Sequence, residues 1–180
     1  SPGNIDARNV SWVLAPRLNA AGRLDQAANS YQLLQATSLQ LGQQLAVELE
    51  AKNTERQRLT KEVLAQARQA ALAQQDSRLL FIGQEDFPSG VVGIVAGRLV
   101  EEFNRPAFVL ELGEETSRGS ARSIPEFDVV AALKRCSSYL TRFGGHPLAA
   151  GYTLPSKNIP LFHQHLLELA SQQLTGLDLR

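Results

Sequence analysis

Between Ser38 and Gln75 the chain carries no proline and a single glycine, Gly42. The stretch is rich in Ala, Gln, Glu, Leu and Arg, all good helix formers. Leu41, Leu45, Ala46, Leu49, Leu59, Val63, Leu64, Ala67 and Ala71 recur at three- and four-residue spacing, the period of one helix face. The apolar stripe thins over Lys52-Asn-Thr-Glu-Arg-Gln-Arg58. One helix of this length would be roughly 55 Å long at 1.5 Å per residue. A helix that long and polar at its waist usually bridges two domains; a break near Asn53 is the alternative.

The flanking segments read differently. Residues 1–24 are punctuated by Pro2, Gly3, Pro16 and Gly22 and are expected to be extended or loop-like. Ala27 to Gln35 reads as a short helix. After Asp76, strands alternate with helices. Arg78–Ile82 and Pro106–Leu112 are apolar strand patterns, and Gly113-Glu-Glu is a turn before a hairpin partner, Thr116–Ser123. Val91–Phe103 is an amphipathic helix in which Gly93 and Gly97 suggest close packing on a sheet. Asp128 caps a helix from Val129 to about Tyr139, Gly151–Leu154 is a strand, and Ile159–Gln173 is a final helix. The fold class is α/β (α+β): a mixed β-sheet flanked by helices and preceded by a long bridging helix.

Net charge is zero, so nothing global marks a nucleic-acid binder. The charge is uneven, however. From Arg118 to His146 lie Arg118, Arg122, Lys134, Arg135 and Arg142, against Glu126 and Asp128. A local basic patch in a neutral chain suits a phosphate site. One cysteine, Cys136, excludes an internal disulfide and is expected to be buried. There is no apolar run long enough for a membrane span and no signal-peptide pattern, so a cytoplasmic location without membrane association is expected. A start at Ser-Pro-Gly and the lack of methionine read as an excised piece of a longer polypeptide.

Two stretches carry candidate chemistry. Phe143-Gly-Gly-His-Pro-Leu-Ala-Ala-Gly151 surrounds one titratable side chain, His146, with small residues. Gly144 and Gly145 let main chain approach a ligand closely. Upstream, Arg118, Ser120 and Arg122 alternate at strand period and share one face. Two guanidiniums, a hydroxyl, an imidazole and exposed amides form a phosphate-binding inventory. The competing reading of the three β-strand residues is a charged, solvent-exposed edge strand.

The order R-x-S-x-R, helix, F-G-G-H-x-x-A-A-G resembles the C-terminal substrate-binding domain of the DHH phosphoesterase superfamily. Ala15-Pro-Arg-Leu-Asn-Ala-Ala-Gly-Arg-Leu-Asp25 and Gly90-Val-Val-Gly-Ile-Val-Ala-Gly-Arg-Leu99 narrow the resemblance to its RecJ-type exonucleases. The resemblance implies the end of a catalytic domain over residues 1–37, a linker helix over 38–76 and a substrate-binding domain over 77–180. It implies metal-dependent 5′-to-3′ hydrolysis of single-stranded DNA in repair and recombination, with the DNA 5′ end as partner. It places substrate phosphate on Arg118, Ser120, Arg122, Gly144, Gly145 and His146, with His146 near the scissile bond. Arg17, Asn19 and Arg23 become contacts in the catalytic cleft; in a generic protein they would be a loop with a helix cap.

The superfamily's Mn2+ or Mg2+ pair is held by an Asp-His-His domain, and no such motif occurs here. His163 and His165 point to different faces of one helix, and the aspartates are scattered. No catalytic or metal-ligating residue is therefore expected in this stretch, and it should be inactive without the catalytic domain. The OB-fold module usual in these enzymes is not legible either, for want of many short strands and stacking aromatics. Two alternatives stay open: a phosphoesterase for oligoribonucleotides or cyclic dinucleotides, and a non-catalytic nucleic-acid-binding module.

Overall fold

The computed structural model describes residues 5–24 and 27–177. The chain divides into two units, residues 1–59 and 60–180. The loop expectation for residues 1–4, and Asp25 of the first signature, lie outside the described residues.

In the first unit the expected loop is helical. Helix α1 (Ala7–Asn9) runs through a π-helical turn (Val10–Leu14) into α2 (Ala15–Leu24). Asp6 caps the start, accepting from the Asn9 amide at 2.7 Å. Pro16 reads as a breaker in sequence because a proline ring clashes with the carbonyl four residues back in a regular helix. The wide turn that precedes it, with the Ala15 amide bonded to the Val10 carbonyl, locally departs from that regular spacing. Helix α3 (Ala28–Gln35) follows where expected and is tied to α2 by Ser30 Oγ, which donates to the Leu18 carbonyl at 2.7 Å.

Helix α4 (Leu39–Leu72) is continuous, with no break at Asn53. Leu45, Leu49, Val63, Ala67 and Ala71 form its buried stripe. Asn53 sits on that stripe, buried, and its Oδ1 accepts from Arg56 Nη2 at 3.0 Å. The polar waist is thus a satisfied buried amide as well as a solvated face.

The second unit is built on a five-stranded mixed sheet: β1 (Leu80–Gln84), β2 (Ala107–Glu111), β3 (Thr116–Arg122), β4 (Arg142–His146) and β5 (Ala149–Pro155). Spatial order is β1-β2-β3-β5-β4, with only β1 and β2 parallel. That parallel pair needs a crossover, supplied by α5 (Ser89–Phe103), which lies across β2 and β3. On the opposite face sit α6 (Val129–Arg135) and α7 (Ile159–Gln173). Phe162 of α7 meets Phe108 and Tyr152 there with ring centroids 6.4 and 5.4 Å apart. Fully burying such a side chain contributes roughly 2–3 kcal/mol. Cys136 lies in this core, where burial pushes its thiol up to about 11.

Close packing accounts for Gly93, where an added Cβ would come within 3.1 Å of Ser120 Oγ. It does not account for Gly97, which has open space. One strand is not foreshadowed by the sequence pattern. The Gly-Gly-His stretch is β4, joined to β5 by the two residues Pro147 and Leu148. Adjacent glycines have low strand propensity, and pairing with β5 overrides it. The hairpin tip is held from outside: the Val129 amide donates to the Pro147 carbonyl at 2.9 Å and the Ser123 amide to the Leu148 carbonyl at 3.0 Å.

Asp128 caps α6 by accepting from the Val130 and Ala131 amides, both at 2.9 Å. Asp128→Ala should therefore cost about 1 kcal/mol, read as a lower urea midpoint at unchanged slope.

Candidate functional site

Strand β3 alternates along its length. Ser117, Gly119 and Ala121 are buried on one side, Gly119 under the Tyr152 ring and Ala121 in the apolar core, while Arg118, Ser120 and Arg122 face the other side. β3 lies between β2 and β5, so the edge-strand reading of its charges is excluded by topology.

Cross-strand partners share a face, and the register extends this one over three strands. Arg118 stands opposite Thr153, and Thr153 opposite Arg142. Ser120 stands opposite Gly151, and Gly151 opposite Gly144. Arg122 stands opposite Ala149, and Ala149 opposite His146. The result is a floor of small residues with basic side chains at both ends and a hydroxyl along one side. Helix α5 covers this face over β2 and β3. Arg118, Arg142 and His146 are exposed and, among the described residues, have no ion pair. Arg122 is half-buried, with Nη1 donating to the Ala121 carbonyl at 2.8 Å.

Gly145 does not join that floor. It pairs with Ala150 and faces the core side, at φ 150°, where an added Cβ would lie 2.3 Å from the Ala149 carbonyl oxygen. Its glycine is demanded by the hairpin itself. Gly144 and Gly151 are different. An added Cβ would meet nothing within 4 Å at Gly144, and only the Gly119 carbonyl oxygen at 3.9 Å at Gly151. Both have ordinary backbone angles. The fold has no steric need for glycine at either position, yet strand glycines weaken a sheet and often mark close backbone approach. These two glycines form part of the floor of an open cleft of about 790 Å³, with Arg118, Thr141, Arg142 and Thr153 around it.

Sequence reasoning missed Arg142, Thr153 and Gly151 as site residues. Arg142 entered only as part of a charge count. Reading Arg142-Phe-Gly-Gly-His146 as a strand would have put Arg142, Gly144 and His146 on one face by period two.

The first unit holds the other three candidates, and not as one cluster. Arg17 is half-buried, ion-paired with Glu50, and donates through Nη1 to the Val13 carbonyl at 2.7 Å. Asn19 and Arg23 are exposed, four residues apart on one face of α2. Arg56 of α4 lies close enough to Arg23 for the two like charges to interact. Its pKa is lowered, first by burial and then by Arg23. His163 and His165 are occupied elsewhere: His163 stacks on Phe81 at 4.3 Å and its pKa is lowered by burial, and His165 packs edge-on to Tyr139. Among the described residues no three His, Cys, Asp or Glu side chains gather where a metal ion could sit. No described helix is long and apolar enough to cross a membrane.

The DHHA1 domain family matches residues 60–172, and the chain belongs to that family. It is also similar to curated proteins named single-stranded-DNA-specific exonuclease RecJ. That of Bacillus subtilis (strain 168) is 39% identical over 182 residues, covering 98% of this chain and 23% of the relative. That of Escherichia coli (strain K12) is 34% identical over 180 residues, covering 94% and 31%. Among solved structures, RecJ from Thermus thermophilus in complex with Mn2+ superposes with a TM-score of 0.84 at 31% identity, over 91% of this chain and 24% of that one. An exonuclease RecJ bound to manganese gives 0.82 at 30% identity, over 97% and 44%. The chain thus spans about a quarter to a third of these curated relatives' length.

The two neighbouring glycines of β4 should respond oppositely. Gly145→Ala should destabilise by about 2–3 kcal/mol. Gly144→Ala, with open space for its Cβ, should stabilise by about 0.5–1 kcal/mol, the usual cost of a strand glycine against alanine. Urea midpoints of the two variants check this.

Proposed function

We propose that this chain is the substrate-binding part of a metal-dependent exonuclease that degrades single-stranded DNA from its 5′ end, in DNA repair and recombination in the cytoplasm. One observation carries the reading: Gly144 and Gly151 form a bare strand floor that the fold itself does not require, flanked by exposed cations. A nucleic-acid backbone fits such a floor. Its phosphates seek guanidiniums and hydroxyls, and its sugar edge needs close approach to main chain. The names of the relatives supply the activity and the single-stranded substrate.

In this reading Ser120, Arg122 and His146 hold the phosphate nearest the reacting end, with Gly144 leaving room for it. Gly145 acts through the hairpin, by setting the position of His146. His146, exposed and next to the glycine floor, donates to a phosphate oxygen or to the departing group. Asn19 and Arg23 contact substrate from the first unit, and Arg17 holds α2 to α4 through Glu50. Metal ions such as the Mg2+ and Mn2+ of the related structures would activate water and stabilise the leaving oxygen. The described residues of this chain do not fit a metal pair, because no donor set converges. We assign the metals to a separate catalytic domain of the same polypeptide, and further strand binding to an OB-fold module.

The test is His146→Ala in the full enzyme. Turnover of single-stranded DNA should fall about a hundredfold, the cost of one transition-state donor, at an unchanged melting temperature. Full turnover would overturn the assignment. Gly144→Val should likewise fold, since valine suits a strand, and should weaken binding of a 5′-phosphorylated oligonucleotide.

A further inference from the structure

The cleft is not centred where the motifs pointed. It lies over the row Arg118, Thr153 and Arg142 and reaches the glycine pair, whereas Ser120, Arg122 and His146 do not line it. Arg122 and Arg118 are four residues apart on β3, as are His146 and Arg142 on β4. At about 3.3 Å per residue the two rows are roughly 13 Å apart at the backbone, and Arg122 is held at its own end by its bond to the Ala121 carbonyl and its packing beside Gly93 of α5.

Resting on the reading above, we propose that Arg118, Arg142 and Thr153 form a second phosphate station that holds a nucleotide further along the strand. Three observations support it. Arg118 and Arg142 flank Thr153 on neighbouring strands, roughly 10 Å apart at the backbone by the usual inter-strand spacing. Two guanidiniums can therefore close on one phosphate from both sides, with a hydroxyl beneath. Neither arginine is engaged by a carboxylate among the described residues, although Glu111 is the cross-strand partner of Arg118. Between the two stations lie Gly144 and Gly151, where sugar and base can lie on bare main chain. The arrangement gives a track two stations long, running across the glycine floor from the His146 end to the Arg142 end.

The track has a consequence for length dependence. A mononucleotide reaches only the first station, while a longer strand engages both. Arg142 is exposed at the sheet edge and unpaired among the described residues, so removing its charge should not disturb folding.

The experiment measures binding of thymidine 5′-monophosphate and of a 5′-phosphorylated hexathymidylate to the full protein in EDTA, which prevents metal-dependent cleavage. Wild type is compared with Arg142→Gln and His146→Ala. Arg142→Gln should leave mononucleotide binding unchanged and weaken the hexanucleotide about tenfold. Its slope of log affinity against log salt should be shallower by about 0.7, the loss of one phosphate contact on a single strand. His146→Ala should weaken both ligands. Equal loss of both ligands in Arg142→Gln, or no loss of either, overturns the second station while leaving the first intact. Normal mononucleotide binding in His146→Ala, with hexanucleotide loss confined to Arg142→Gln, removes the first station instead.

Discussion

The register between β3, β5 and β4 is the constraint on which this molecule depends. Side chains on a strand alternate, so a slip of one residue would exchange the two faces completely. Arg118, Ser120 and Arg122 would then face the apolar core that now holds Ala121, and Gly119 would lose Tyr152, whose ring fills the space where its Cβ would be. Several devices hold the register. Gly145 allows β4 to press on the Ala149 carbonyl, and the amides of Ser123 and Val129 grip the two carbonyls of the hairpin turn. Among the described residues the buried Tyr152 phenol has no hydrogen-bond partner, a cost the aromatic cluster around it must offset.

The same register distributes chemistry. The core side of the hairpin is large and apolar, with Phe143, Tyr152 and Leu154 turned towards α6 and α7. The other side is stripped to glycine and alanine, with charge only at its two ends. A sheet built only for stability would fill such a face. Leaving it bare costs strand stability at Gly144 and Gly151, and the cost makes sense if a ligand covers them. Arg122 belongs to both regimes. It is packed near Gly93 of α5 and bonded to its own strand, whereas Arg118 and Arg142 are exposed.

Much of this was legible along the chain, for one physical reason: elements with strong periodicity declare themselves. Helix α4, the alternation of β3, the Asp128 cap and the start of α7 all follow from spacing and propensity. The failures also share a cause. Pro16 and Gly22 argued against a helix that the π-helical turn and packing on neighbouring helices permit, and the double glycine argued against a strand that β5 imposes. In both places tertiary contacts outweighed local preference. Arg142 and Thr153 were missed because the strand that carries Arg142 was missed.

The sequence by itself determined which residues could bind phosphate, since Arg118, Ser120, Arg122 and His146 carry donors wherever the chain places them. It also determined that the three β3 residues share a face, because period two is a property of any strand. Only the tertiary structure decided which glycines serve the fold and which are spare, because that depends on what stands opposite each missing Cβ. It alone decided that Arg142 and Arg118 share a cleft, since their meeting depends on the hydrogen-bonded register of three strands and not on any spacing along one.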